Sequence, residues 1–172
     1  MRDEKSAENL RYFFGKQSRV VPDSVFVNPI EKGPISNHVI YGITPFSRFL
    51  WHNKIALYTD IDTFYEKCRT DIEAYLESGK SVSLFYTTKD DLNSCYSFNQ
   101  YCSHKYGCSY PIAAIQTLDD LLSVIKSSGI VVSARMHACI LATLLSKQVC
   151  PIVLSEKMKS FVQRYMNKCD IE

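Results

Sequence analysis

Short apolar runs alternate with longer stretches of helical spacing along most of this chain, and no other feature constrains its fold as strongly. His38-Val39-Ile40-Tyr41-Gly42-Ile43, Ser81 to Tyr86 and Ile130-Val131-Val132-Ser133 are strand-like. Ile61 to Ser78, Lys89 to Tyr106 and Leu118 to Ser127 carry apolar residues at helical spacing and stop at Gly79, Gly107 and Gly129. Thr117 is placed to cap the third of these helices, and Tyr110 to Ile115 reads as a further short strand. A helix from about Arg135 to Lys147, a strand Val149 to Leu154 and a last helix from Glu156 to about Met166 complete the series. Parallel strands need a covering crossover, so the alternation predicts an α/β protein with a doubly wound parallel sheet.

The beginning of the chain has a different rhythm. Ser6 to Phe14 predicts a short helix, with Ser6 as N-cap and Gly15 at its stop. Val20-Val21-Pro22-Asp23-Ser24-Val25-Phe26 predicts a short strand interrupted by a turn. From Asn28 to Ser36 the residues Pro29, Gly33 and Pro34 punctuate the chain and mark a linker, which separates residues 1–30 from a main domain at 31–172.

Composition excludes several classes. With 172 residues, 46% hydrophobic and 22% charged, the chain has the makeup of a globular domain able to bury a core. A formal charge of +2, with Lys and Arg scattered, gives no basic face for nucleic acid. No apolar run is long enough for a transmembrane segment, and Met1-Arg2-Asp3-Glu4-Lys5 lacks the apolar stretch of a secretory signal. The seven cysteines, Cys68, Cys95, Cys102, Cys108, Cys139, Cys150 and Cys169, fall mostly within apolar or helical patterns, as expected for reduced thiols. The expected location is cytoplasmic, at most peripheral to a membrane.

In an open parallel sheet ligands bind outside the carboxyl ends of the strands, which directs attention to the strand-to-helix turns. Val132-Ser133-Ala134-Arg135-Met136-His137-Ala138 is one such turn, with Arg135 and His137 opening the helix. A cation at the positive end of a helix dipole is locally unfavourable unless something negative lies opposite, so the turn suggests an anion. Ser133 Oγ, the backbone N–H groups and the Arg135 fork would hold it, and His137 could donate a proton. The plainer alternative has Arg135 reaching into solvent and His137 satisfied in the core. Residues two apart on a helix point to nearly opposite sides, so both reach one ligand only if Arg135 is still in the turn. Leu154-Ser155-Glu156-Lys157-Met158-Lys159 is a second strand-to-helix turn, and on neighbouring parallel strands Lys157 and Arg135 would share one sheet edge. Lys157 and Lys159 equally fit an ordinary solvated helix face.

Other groupings carry less. Cys95, Cys102, His104 and Cys108 are spaced unlike the paired knuckles of structural zinc sites, so no metal is expected. Phe46, Phe49, Trp51, Tyr58 and Phe64 around His52 suggest core and loop packing more than a sugar-stacking platform. Walker A, GxGxxG, G-x-S-x-G and HExxH patterns do not occur.

The segment Ile130 to Ala138, then Pro151-Ile152-Val153-Leu154-Ser155 and Lys157-Met158-Lys159-Ser160-Phe161, resembles the C-terminal region of the polysaccharide pyruvyl transferases. There an Arg-x-His-Ala segment follows an apolar strand, and a Lys with a nearby Phe follows the next. Arg2-Asp3-Glu4-Lys5-Ser6 and Pro22-Asp23-Ser24-Val25-Phe26 are similar to earlier segments of the same family, so the matches bracket the chain.

The resemblance implies a Rossmann-like domain forming one half of a GT-B-type fold, with residues 1–30 the remnant of an N-terminal domain. It implies transfer of the enolpyruvyl group of phosphoenolpyruvate to two sugar hydroxyls of a surface polysaccharide or its precursor, giving a pyruvate ketal and phosphate. The implied partners are phosphoenolpyruvate as donor substrate and a saccharide acceptor, with no cofactor. Arg135 and His137 would contact the donor and carry catalysis, and Ser133 and Lys157 would add binding contacts. Because Met1 directly precedes Arg2, most of the first domain is expected to be missing or supplied by another chain, which would leave a lone domain that binds without transferring. A GT-B glycosyltransferase domain using a nucleotide sugar and a non-catalytic anion-binding or interaction domain are the alternatives.

Overall fold

A computed structural model describes residues 4–17, 33, 36–46 and 60–166. The chain divides into two compact units, Met1–Glu31 and Lys32–Glu172. In the first, helix α1 spans Glu4–Phe14 and ends at Gly15, whose φ of 64° is the left-handed conformation that a helix stop favours. The helix therefore begins ahead of Ser6, which lies inside it and does not cap it. The predicted strand at Val20 to Phe26 and most of the linker at Asn28 to Ser36 fall outside the described residues.

The second unit carries the sheet. Strand β1 is His38–Gly42, helix α2 Ile61–Glu77, β2 Ser81–Phe85, α3 Lys89–Tyr106, α4 Leu118–Ser127, β3 Ile130–Ser133, α5 Met136–Leu144, β4 Gln148–Pro151 and α6 Glu156–Tyr165. The four strands are all parallel in the order β2-β1-β3-β4, so the fold is the expected Rossmann-like α/β arrangement. On one face Val39, Tyr41, Val82, Leu84, Ile130 and Val132 pack with Phe64, Cys68 and Ile72 of α2 and Cys95, Phe98 and Cys102 of α3. On the other face Ile40 and Val131, both 0% exposed, lie beneath the side carrying α4 and α5. Strands covered on both faces must be apolar throughout, which is why 130–132 shows no alternation.

Helix boundaries follow their caps. Asp60, Thr88, Thr117 and Ser155 each accept a hydrogen bond from the backbone N–H three residues on, and Thr117 with Asp120 forms a full capping box. Three expected elements differ. Tyr110 to Ile115 makes only an isolated parallel bridge, Leu84 to Ile112, because Pro111 has no N–H to extend a ladder. Strand β4 ends at Pro151, well before Leu154, and the Pro151–Ser155 stretch turns toward α6. Helix α5 runs only from Met136 to Leu144, with the Ser146 backbone at a φ of 57° that breaks the helix before Lys147.

Polar contacts tie the two helices of the first face together. Glu66 on α2 accepts hydrogen bonds from Tyr101 Oη at 2.6 Å, Lys105 Nζ at 2.6 Å and Tyr106 Oη, all on α3, and from Arg69 Nε at 3.2 Å. Lys105 first, then the two tyrosines, hold the Glu66 carboxyl far below its ordinary range. A depressed carboxylate stabilises the fold above the pH at which the unfolded residue ionises, near 4.5, and that contribution is lost as pH falls below it. In urea titrations between about pH 5 and about pH 3, Glu66→Gln is expected to flatten the loss of stability seen in the unsubstituted chain.

Candidate functional site

Strand order places a topological switch between β1 and β3, since the chain leaves β1 for β2 on one side and returns to β3 on the other. The crevice outside their carboxyl ends is where such sheets take ligands. Gly42, the last residue of β1, lies close to its surroundings there: a Cβ would stand 3.0 Å from Phe85 Cε1 and 3.3 Å from Ser133 Oγ. A glycine is what this approach of three strand ends allows.

Arg135 occupies the turn after β3. It is extended, with φ −93° and ψ 114°, and the helix starts only at Met136, so the geometric condition for Arg135 and His137 to serve one ligand is met. Ser133 Oγ accepts the Arg135 backbone N–H at 3.0 Å and is 1% exposed, so its hydroxyl holds the turn. His137 is exposed on the first turn of α5, which overturns its reading as a core histidine. Lys157 is exposed in the first turn of α6, beyond the carboxyl end of β4, and β4 pairs with β3 as the shared-edge argument requires.

The negative partner that the Arg135 position called for is in the chain itself. Asp91, only 2% exposed in the first turn of α3, accepts from Arg135 Nε at 3.1 Å on both carboxylate oxygens and from Arg135 Nη2. It also accepts from Thr87 Oγ1 at 2.8 Å, the Thr87 backbone N–H at 3.3 Å and Thr44 Oγ1 at 3.4 Å. A buried carboxylate is tolerated only when paired and hydrogen-bonded this fully. Arg135 therefore does not simply reach into solvent; 29% of its side chain is exposed. Asp91 escaped the sequence reading, although Thr88-Lys89-Asp90-Asp91 carries the acidic third position of a capping box, a signal that could have drawn attention to it.

Two other hollows and clusters lie elsewhere. A cleft of about 460 Å³ runs between α2 and β4, past Tyr41, Asp71, Tyr75, Lys80, Cys150 and Ile152. It reaches the end of β4 at Pro151, but Ser133, Arg135, His137 and Lys157 do not line it. The four residues Cys95, Cys102, His104 and Cys108 do not meet at one point: Cys102 and Cys108 adjoin, Cys108 Sγ also lying near Tyr110 Oη, whereas Cys95 Sγ faces the Phe85 carbonyl and His104 is exposed. Among the described residues no three metal-ligating side chains converge. Phe46 stacks on Phe64 at 5.3 Å inside the core, whereas Phe49, Trp51, His52 and Tyr58 fall outside the described residues.

Fold and crevice together define a Rossmann-like α/β domain with an arginine at its switch point. The family model for polysaccharide pyruvyl transferase matches residues 1–156, and the chain belongs to that family. No curated protein and no solved structure matches it significantly. The family is one of transferases that act on a saccharide acceptor. Among the described residues no helix is long and apolar enough to cross a membrane.

Removing the guanidinium strands a buried charge. Arg135→Met is expected to lower unfolding free energy by about 3 kcal/mol, measured by urea denaturation, because Asp91 would keep its burial and lose its cation.

Proposed function

We propose that this chain supplies the donor-binding half of a pyruvyl transferase, one half of a GT-B-like pair, that moves the pyruvyl group of phosphoenolpyruvate onto two hydroxyls of a sugar in surface polysaccharide synthesis. The observation that carries the reading is Arg135 at the switch-point turn, in a chain of this family. Its guanidinium keeps an edge beyond the one Asp91 takes, and a guanidinium edge matches a phosphate or carboxylate in shape and charge.

The reaction requires a proton at the methylene carbon of the donor, which turns CH2 into CH3 and leaves an oxocarbenium-like centre at the neighbouring carbon. One sugar hydroxyl attacks that centre, phosphate departs with the C–O bond's electron pair, and the second hydroxyl closes the ketal. Two hydroxyl protons are released in all; they replace the proton delivered to carbon and protonate the leaving phosphate. His137, exposed one residue into α5, is the proton donor in this scheme. Arg135 offsets the phosphate charge that grows as the bond breaks, and Lys157 adds a second cation from the next turn. Ser133 contributes by fixing the turn that presents Arg135.

Calorimetric titration of the purified chain tests the donor assignment. Phosphoenolpyruvate is expected to bind and uridine diphosphate is not, and Arg135→Lys, which keeps a cation for Asp91 but loses the planar fork, should weaken binding by about tenfold. Binding of the nucleotide alone would replace this reading with a nucleotide-sugar transferase. In an assembly competent for turnover, His137→Gln should abolish ketal formation while leaving donor affinity within about threefold. Retained turnover would reject the acid role.

A further inference from the structure

Arg135 is gripped from one side. Asp91 takes the edge formed by Nε and Nη2, and among the described residues Nη1 has no hydrogen-bond partner. A guanidinium carries five N–H donors in one plane, so the end edge formed by Nη1 and the outer N–H of Nη2 stays open to a second oxyanion. The direction of that open edge is set entirely by what fixes the first one.

We propose that Asp91 is the positioning residue of the donor site: it locks Arg135 by its side edge so that the end edge is presented ready-made to the donor's oxyanion. The proposal rests on the reading of Arg135 as the donor-binding cation. Asp91 is suited to the task because its own carboxylate cannot turn. Thr87 holds one oxygen through both its hydroxyl and its N–H, and Thr44 Oγ1 approaches the other at 3.4 Å. Thr44 follows β1, Thr87 follows β2 and Arg135 follows β3, so the carboxylate joins the three strand ends that meet at the switch point. At 2% exposure it is sheltered from water that would compete for the guanidinium.

Charge and orientation make opposite predictions here. Asp91 cancels the charge of Arg135, so on electrostatics alone its neutralisation would tighten anion binding. On orientation, a freed arginine must be ordered again at each binding event, and a misdirected fork loses its bidentate fit. The proposal commits to the second effect.

The test uses Asp91→Asn and the milder Thr87→Val, which keeps the carboxylate but removes its 2.8 Å hydroxyl contact. Phosphoenolpyruvate titrations are run beside NMR observation of the Arg135 Nε–H signal, assigned through Arg135→Lys. In the unsubstituted chain the signal should be sharp and slow to exchange. Asp91→Asn should lose it and bind phosphoenolpyruvate about tenfold more weakly, with Thr87→Val between the two. Equal or tighter binding by folded Asp91→Asn overturns the proposal, and if that variant does not fold, equal or tighter binding by Thr87→Val does so. If the unsubstituted chain binds no phosphoenolpyruvate, the donor reading fails and the NMR signal decides alone. Slow exchange that is lost in the variants then upholds the locking of Arg135, whereas fast exchange in the unsubstituted chain overturns it.

Discussion

Two parallel strands cannot be joined by a hairpin, and most of this molecule follows from that restriction. Each return to the sheet passes through a helix, so α2 and α3 cover one face while α4 and α5 lie on the other. The strands between them are covered on both sides, and β3, Ile130-Val131-Val132-Ser133, is accordingly apolar without alternation over its first three residues. Because β1 lies inside the sheet, the chain must leave it in one direction and come back on its other side. The crevice at Gly42, Ser133 and Arg135 is a by-product of that route.

An interior of this kind has little tolerance for charge, which gives the pairing of Asp91 with Arg135 its weight. The aspartate stands at the start of α3 and the arginine just before α5, so the interaction spans two crossovers. Thr88 caps α3 and sets the register of its first turn, which brings the Asp91 carboxylate back toward Thr87 and the crevice. Glu66 does comparable work at the far end of α3, where Tyr101, Lys105 and Tyr106 converge on it. The helix that carries Asp91 is thus fixed near both ends.

Features encoded locally were legible in the sequence. Thr117 and Gly107 marked helix ends that the structure reproduces, and the boundaries of α3 and α4 agree with the periodicity to the residue. The turn at Arg135 stands out in the sequence because a cation there violates a local rule. Its resolution was not legible, because the partner lies 44 positions earlier and nothing in linear spacing pairs the two. Ser133 shows the same limit: nothing in linear spacing reveals that its hydroxyl accepts the Arg135 backbone N–H. Tyr110 to Ile115 had the apolar content of a strand, but Pro111 and the loop after α3 leave it one bridge long. The apolar run Ile152-Val153-Leu154 continues past the end of β4, where Leu154 is buried in the core and Ile152 packs against it.

Pro111 and Pro151 also shape the two borders of the sheet. At the outer side of β2, Leu84 donates to the Pro111 carbonyl at 2.7 Å and accepts from Ala113 at 2.8 Å, so the edge is occupied by a segment too short to recruit another strand. On β4, Gln148 and Ile152 direct their N–H groups to Gly129 and Ser133, which turns the intervening odd position, Pro151, outward. The N–H that a foreign strand would need there does not exist. Among the described residues the β4 border carries an outward position that cannot donate and the β2 border is covered by a segment one bridge long, so neither offers a full ladder to an added strand.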